Sequence, residues 1–472
     1  MNNKERISFH RWNKKDRNKL FNSLNNILNL RSAQFYIPFF SLYTYIHNKP
    51  NAFKTIDLRR KYEIREILEI TKEKYYNSNM YLLANVYDSG KNIIKEEEIF
   101  CKTIPIIDEI HYLNNNYNFV NKKNHYLPSN YNYNTFSKIN NINNKAYIDI
   151  ICSFLFSNLV QKKKLPSFPL FYGSVNGIGN YNYDISDEYY DLRIDKCFRD
   201  NIGKGFHIDI YKDNSSSDES SDESSDGSVD SNDDYIAIMN NIPLQLLFIE
   251  KLDGTLEDLF KHENIDNLLI SCLFQIAFAL SYLQKYYDFT HNDLHINNIM
   301  YSSTEFDYLY YKLNNKYFKV PTYGKIFKII DYGRSIFTYH NKVYMNDVFS
   351  IHGEAGGQYT YSKQVEFLKD DSKDFNQEPS KHFDLCRLAI TILDELSEEN
   401  IKNENLCNLL KLLSTDKFGN NFCNSPDNFE LYINISKNAI NSLPKDILQN
   451  ELFNPYRVKK KNFPRKSYYS LN

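Results

Sequence analysis

Residues 290–300 read Thr-His-Asn-Asp-Leu-His-Ile-Asn-Asn-Ile-Met, and residues 328–333 read Lys-Ile-Ile-Asp-Tyr-Gly. In each segment an Asp stands in a short polar turn that follows an apolar run typical of a β-strand. The first segment also carries Asn298, five residues after Asp293, and the second carries Asp331. A single Asp or Asn is common in turns, but this ordered set of three predicts a shared chemical site.

The three side chains match the needs of phosphoryl transfer from ATP. That reaction depends on positioning and charge neutralisation more than on covalent help from the protein. Asp293 is predicted to accept the hydrogen bond, and then the proton, of the attacking hydroxyl. Asn298 and Asp331 are predicted to hold Mg²⁺ against the ATP phosphates, because Mg²⁺ prefers oxygen ligands and leaves room for water and phosphate.

The composition indicates a large protein without a global charge bias. The chain has 472 residues, enough for two lobes with extensions, and its formal net charge is −2. So small a charge gives no field that would favour nucleic acid, and we expect no specific nucleic-acid binding. The seven cysteines form no C-x-x-C pair, which argues against a zinc site and favours reduced, buried thiols.

The N-terminus is polar and basic and lacks the apolar core of a signal peptide. No apolar run in the sequence is expected to be long enough to cross a bilayer. We therefore expect a soluble, intracellular protein with no membrane partner.

Residues 1–79 are interpreted as an N-terminal helical extension. Ile64, Ile67, Leu68 and Thr71 fall on one helical face, and charged residues occupy the positions between them. The segment is expected to form a packed helix.

Strands, loops and helices are predicted to alternate in the following residues. Strands are predicted at 81–86 and 93–107, with a turn at Ser89 and Gly90 between them. The later predicted elements are a long polar loop at 114–145, a helix at 146–161, a helix at 266–287 and a hairpin extension at 306–323. Between the first two helices, a strand is predicted from residue 243. It ends in a short polar link, and a helix is expected to start near 254.

Residues 213–234 form an acidic, serine-rich tract with almost no apolar side chains. Such a segment cannot bury enough apolar area to fold, so it is predicted to be disordered. We interpret it as a solvated loop insertion. The alternative is a phosphorylated acidic tract, because carboxylates follow its serines closely.

From about Tyr81 to Leu413 the chain resembles the eukaryotic-type protein-kinase superfamily. Its first quoted segment is similar to the catalytic loop H-R-D-L-x-x-x-N, and its second is similar to the metal-binding D-F-G. The resemblance is closest to the kinase-like proteins of large DNA viruses, and the His-x-Asp-Leu-His variant is also similar to haspin-type kinases. The stretches that carry the viral resemblance are Ala146–Asp149, Phe171–Ser174, His291–His295, Val320–Lys325 and Phe383–Leu388.

This resemblance implies an α+β, bilobal fold with ATP between a small β-rich N-lobe and a larger helical C-lobe. It also implies a strand lysine that holds the α- and β-phosphates, and Lys102 fits that role. The alternative is an edge-strand lysine that points to solvent. A helical carboxylate should pair with this lysine; the predicted helix 146–161 has no Glu, so Asp149 is the candidate.

The resemblance assigns three further features. The backbone around Ile249, Glu250 and Leu252 would contact the adenine. A buried Asp near the start of a later helix would hold the catalytic-loop backbone, and Asp384 fits. His295 replaces the lysine of the catalytic loop and would donate to the γ-phosphate with a less dependable charge.

The expected domain organisation follows the same resemblance. Residues 1–79 would be the helical extension, 80–253 the N-lobe with the acidic insertion, 254–454 the C-lobe and 455–472 a basic tail. One departure concerns the nucleotide lid: no G-x-G-x-x-G precedes Lys102, and only Gly90 is available.

Taken together, the motifs predict an ATP- and Mg²⁺-dependent Ser/Thr protein kinase acting on a protein substrate, located in a host cytoplasm or a virion if the protein is viral. Two alternatives stay open. The first is a pseudokinase that acts as a binding scaffold, which the missing glycine loop favours. The second is a small-molecule phosphotransferase of the aminoglycoside or choline type, which also uses H-x-D-x-x-x-x-N.

Overall fold

The structure is a computed structural model of the chain. It describes residues 7–40, 55–117, 126–129, 137–212, 233–350, 353–359, 378–396, 400–426 and 429–471. These residues form sheets and helices in a mixed architecture that is compatible with the predicted α+β class. The chain divides into two compact units. We call Ser8–Asn141 with Tyr172–Glu250 the sheet unit, and Met1–Ile7, Ile142–Phe171 and Lys251–Asn472 the helical unit. The predicted domain boundaries stay a prediction.

The described residues form both strands and helices. The strands are β1 (Phe9–Arg11), β2 (Arg31–Gln34), β3 (Ile56–Leu58), β4 (Tyr62–Lys74), β5 (Asn79–Asp88), β6 (Ile93–Pro105), β7 (Phe171–Asp184), β8 (Phe206–Lys212), β9 (Asp233–Glu250), β10 (Gly254–Thr255), β11 (Ile299–Ser303), β12 (Tyr308–Leu313), β13 (Lys316–Pro321), β14 (Lys325–Ile329), β15 (Ile336–Tyr339), β16 (Lys342–Met345) and β17 (Tyr469–Leu471). The helices are α1 (Lys14–Leu28), α2 (Glu109–Leu113), α3 (Ser137–Asn140), α4 (Lys145–Gln161), α5 (Tyr189–Leu192), α6 (Lys196–Asn201), α7 (Ile265–Tyr287), α8 (Phe383–Glu395), α9 (Glu404–Leu413), α10 (Phe429–Asn438) and α11 (Pro444–Ile447).

The sheet unit is built on one large sheet with the strand order β2-β7-β9-β6-β5-β4, and β8 pairs with β9. The predicted strands at 81–86 and 93–107 are confirmed as β5 and β6. Their connection is the predicted turn, in which the Gly90 N–H donates to Asp88 Oδ1 at 2.8 Å. Because β6 lies between β5 and β9, it is an internal strand.

The helical interpretation of residues 64–71 is wrong, because Tyr62–Lys74 is the long strand β4. Its register against β5 shifts three times, between Ile64 and Glu66, between Ile67 and Glu69, and again after Ile70. A bulge inserts one extra residue into a strand, so apolar residues that face the core are spaced by three instead of two. Helix α1 covers this strand, and its Ser23 hydroxyl accepts a hydrogen bond from the Ile67 N–H at 3.0 Å.

The helical unit contains α7, which confirms the predicted helix at 266–287. Among the described residues, α7 is also long and apolar enough to cross a membrane, so the expectation that no apolar run reaches that length is wrong. However, 89% of the most apolar stretch of this helix is buried within the structure, as is typical of a core helix. Its Phe274 ring packs on Tyr311, Phe318 and Phe453 at centroid distances of 5.0–5.3 Å.

Two further predicted elements of the helical unit can be compared with the structure. The extension at 306–323 is confirmed as the hairpin β12–β13, and β17 adds to β12 in parallel. The expected helix start near 254 is wrong. Gly254 and Thr255 instead pair with Tyr301 and Met300 of β11, a 3₁₀ helix follows at Glu257–Leu259, and the next α-helix is α7.

Candidate functional site

The β11–β14 ladder brings the two quoted sequence segments together. Ile299 of β11 pairs with Ile329 of β14, and the Ile330 N–H donates to the Asn298 carbonyl at 3.1 Å. Asn298 directly precedes β11, and Asp331 is the second residue after β14. Both predicted metal ligands therefore lie at the same end of one strand pair.

The buried carboxylate of Asp384 holds the backbone of the first segment. Asp384 is near the start of α8 and is fully buried. It accepts hydrogen bonds from the His291 N–H at 3.0 and 3.1 Å and from the Asn292 N–H at 2.9 Å. Burial raises the pKa of Asp384, against the lowering effect of His291 and of the two N–H donors. The structure thus places Asp384 against the turn that precedes Asp293.

Asn292 shapes that turn through a left-handed backbone conformation and a buried side chain. Its φ of 63° is unusual for a residue other than glycine. Its Nδ2 atom donates to the Thr290 hydroxyl at 3.0 Å and to the Arg334 carbonyl at 3.1 Å, while its Oδ1 atom accepts from the Tyr359 hydroxyl at 2.9 Å. A neutral amide therefore ties the first segment to the residues that follow Gly333.

The side chains of Asn298 and His295 make contacts within the first segment. Asn298 Nδ2 donates to the Asp293 carbonyl at 2.8 Å and contacts His295 Nε2 at 2.9 Å. Burial, the largest effect, lowers the pKa of His295, while Asp293 opposes the shift. The imidazole is therefore neutral near pH 7, and its tautomer decides which ring nitrogen donates and which accepts.

Tyr332 anchors the second segment in an aromatic pocket. Its ring packs edge-on against Phe156 of α4 at 5.1 Å and lies 5.8 Å from His291. Its backbone N–H donates to Asp149 Oδ1 at 3.3 Å. Asp149 is thus a buried residue of α4 that contacts the second segment, and its predicted ion pair with Lys102 stays a prediction. Asp331, beside this anchor, has a left-handed φ of 61°.

Tyr432 is a residue of the site that the sequence patterns did not reveal. It lies on α10, 139 residues after Asp293, and its phenolic O–H donates to Asp293 Oδ1 at 3.1 Å. The guanidinium carbon of Arg387 lies 5.1 Å from the centre of the same ring. No local spacing links a tyrosine so distant in sequence to the catalytic segment, and the chain has 39 tyrosines. Only the packing of α10 on α8 identifies it.

Of the other predicted nucleotide-binding residues, Lys102, Ile249 and Glu250 belong to the sheet unit and Leu252 belongs to the helical unit. Lys102 is half-buried on β6 opposite Leu247 of β9. Its strand is internal, so the edge-strand alternative is wrong. Ile249 and Glu250 end β9, and the buried Leu252 follows two residues later. The roles of these residues in nucleotide binding stay predictions.

Two parts of the chain lie partly or mostly outside the described residues. The acidic tract at 213–234 is described only at its last two residues, which begin β9. The segment that follows Gly333 is described at 334–350, 353–359 and 378–381, where it forms the hairpin β15–β16.

Comparison with known proteins yields two partial matches. A probable serine/threonine-protein kinase of Dictyostelium discoideum is 36% identical over 109 residues, which are 21% of this chain and 9% of that protein. A putative serine/threonine-protein kinase of Acanthamoeba polyphaga mimivirus is 33% identical over 142 residues, which are 29% of this chain and 31% of that protein. Both are named as serine/threonine-protein kinases. The chain thus spans less than a third of either relative, and no family model matches it. These weak similarities support a kinase-like family.

Proposed function

We propose that the chain is an ATP-dependent Ser/Thr protein kinase that transfers the γ-phosphate to protein hydroxyls, with ATP and Mg²⁺ as cofactors. The observation that carries the proposal is the shared end of the β11–β14 ladder, which gathers Asn298 and Asp331 beside the turn that holds Asp293. The names of the two relatives support it. A bilobal arrangement with the nucleotide between the lobes is part of the proposal.

The oxygen atoms of Asn298 and Asp331 at this end of the β11–β14 strand pair suit Mg²⁺. Asn298 uses Nδ2 for its two side-chain contacts, so within the described part of the chain its Oδ1 atom has no protein partner. Asp331 adds a carboxylate. One amide and one carboxylate suit Mg²⁺, which keeps several waters and binds phosphate oxygens. When bound, the ion would neutralise charge on the ATP phosphates.

The residues of the chain would orient the reactants and accept one proton. Asp293 would receive the proton of the attacking hydroxyl as that oxygen bonds to the γ-phosphorus and the β–γ bridging oxygen leaves with ADP. His295 is neutral, so it would supply a hydrogen bond but no fixed positive charge. Lys102 would contribute the positive charge on the α- and β-phosphates.

One observation favours the pseudokinase scaffold as a second candidate. Gly90 is the only glycine before Lys102, and it closes the β5–β6 turn through its hydrogen bond to Asp88. It therefore has a structural role in a hairpin, and the chain offers no other glycine there to approach a phosphate closely. The small-molecule phosphotransferase has no comparable support.

The test is transfer of labelled γ-phosphate from ATP by the purified full chain. The acceptors are peptide libraries that contain only Ser, only Thr or only Tyr as hydroxyl residue, together with an aminoglycoside and choline. We expect Mg²⁺-dependent labelling of the Ser and Thr libraries and none by Asp293→Asn. The surface variant Glu395→Gln is the control for handling and folding. Labelling of the small molecules alone would replace the protein-kinase proposal, and nucleotide binding without any transfer would support the scaffold.

A further inference from the structure

Tyr432 contacts the predicted catalytic base through a charged hydrogen bond. Its O–H donates to Asp293 Oδ1 at 3.1 Å, and within the described part of the chain this is the one hydrogen bond to the carboxylate oxygens. Burial, followed by the negative charge of Asp293, raises the pKa of Tyr432, so the phenol keeps its proton and acts as the donor at neutral pH. Oδ2 of Asp293 is therefore left for an acceptor hydroxyl.

The scaffold around Tyr432 fixes its position. On α10, its neighbours Leu431 and Ile435 are buried in a cluster with Phe383 and Cys386 of α8. The Tyr432 ring lies 5.7 Å from the Phe383 ring. The guanidinium carbons of Arg387 and Arg334 lie 5.1 and 5.9 Å from the centre of the same ring. A side chain packed in this way has few alternative rotamers.

The same helix α8 carries the two groups that act on the catalytic segment. Asp384 holds the backbone on the N-terminal side of Asp293, while Phe383 supports Tyr432, which holds the Asp293 side chain. The backbone and the carboxylate of the base are thus fixed from one rigid element. A catalytic group must be held within about 0.5 Å of its productive position, and such support provides this.

We propose that Tyr432 is a positioning residue, which orients the Asp293 carboxylate so that Oδ2 faces the acceptor hydroxyl. This inference rests on the proposed kinase function and extends it to a second residue of the same site. A competing role is that the phenol occupies the place of the acceptor hydroxyl and must leave before substrate binds. The two roles predict opposite effects of removing the hydroxyl.

The experiment compares the purified full chain with Tyr432→Phe, which removes only the phenolic oxygen. The control is Tyr310→Phe, because Tyr310 is a half-buried tyrosine on β12 whose ring packs on Phe463 in the same unit. We expect Tyr432→Phe to lower kcat by about 10- to 100-fold, since small misplacements of a catalytic group have effects of this size. The KM values for ATP and the acceptor peptide should change by less than about twofold, because the phenol does not bind either reactant.

A double-mutant cycle separates positioning from a general loss of structure. In an Asp293→Ala background, Tyr432→Phe should cause no further loss of kcat, because residues that act as one unit are not additive. The decreases in Tm of the two single variants should also be non-additive, and this readout needs no activity.

Each outcome decides between the roles. Unchanged kcat in Tyr432→Phe, with Asp293→Ala inactive, would overturn the inference and leave the kinase proposal intact. A lower acceptor KM with equal or higher kcat would overturn positioning in favour of the competing role. Additive Tm decreases would overturn the contact itself. Absence of transfer by the unmodified chain would overturn the kinase proposal, and the positioning role with it.

Discussion

Replacing Asp384 with Ala should release the catalytic segment from its anchor. The His291 and Asn292 backbone N–H groups are both fully buried, and Asp384 is the acceptor for both. Each unpaired buried donor costs about 1–3 kcal/mol, so the loss of both should cost roughly 2–6 kcal/mol. Domains are typically stable by about 5–15 kcal/mol, so the variant should fold with a weakened site.

Amide hydrogen exchange measured by mass spectrometry on peptides that cover 290–298 is the appropriate assay. Fluorescence of the single tryptophan, Trp12, would report on the sheet unit instead. At about 1.4 kcal/mol per factor of ten, the lower limit predicts exchange about 30-fold faster in this segment. The control is Glu395→Gln, an exposed change on the same helix that should have an effect below about 0.5 kcal/mol. Equal protection in Asp384→Ala and the control would refute the anchoring role.

The conservative variant Asp384→Asn tests the ionisation of this carboxyl. Burial raises the pKa of Asp384 in the folded state above its unfolded value of about 3.9. Between these two pKa values the folded state binds more protons than the unfolded state, so stability falls as pH rises. The free energy of unfolding of the wild type, relative to Asp384→Asn, should therefore decrease from about pH 4 upward. The opposite slope would show that the two N–H donors outweigh burial.

Three further predictions concern activity. Asp293→Ala should lower turnover by roughly 10²–10⁴, the usual contribution of a positioned base, while calorimetry finds ATP affinity unchanged; a fully active variant would remove Asp293 from the mechanism. Asp331→Ala should abolish Mg²⁺-dependent nucleotide binding in calorimetry, because its carboxylate is the main protein charge proposed for the metal, and equal affinity would contradict that role. Activity should survive phosphatase treatment, and also replacement of the hydroxyl residues within 334–381 by Ala. The reason is that Asn292 cannot form the charge-assisted pairing that a phosphate-dependent switch uses. Inactivation with intact ATP affinity would show that such a switch exists.

The sequence predicted the position of the turns that hold Asp293 and Asp331 because their information is local. Asp293 and Asn298 lie in one turn, and the strand that follows it, β11, pairs with β14, the strand that precedes Asp331. The strands β5 and β6 and the hairpin β12–β13 were predictable for the same reason, since each is defined by a turn and its immediate neighbours. In such elements the residues that interact are also close in sequence.

Strand β4 shows how a local pattern can mislead. Its register shifts place the buried residues Ile64 and Ile67 three residues apart, which imitates a helical face. A bulge is specified by its pairing with the partner strand, and the spacing of apolar residues within one strand does not contain that information. Tyr432 was missed for a related reason, since its contact with Asp293 depends on the packing of α10 against α8.

Each of the two segments contains a residue with positive φ. These residues are Asn292, which directly precedes Asp293, and Asp331, a predicted metal ligand. Such conformations cost about 1–3 kcal/mol each for residues other than glycine and persist only where the surroundings enforce them. Asp384 supplies that enforcement for Asn292 through backbone hydrogen bonds, and the buried Tyr332 ring supplies it beside Asp331. Both supports are buried and present without any added phosphate. The arrangement is therefore that of a site ordered by its own packing, which is the physical basis for expecting activity without a phosphorylation switch.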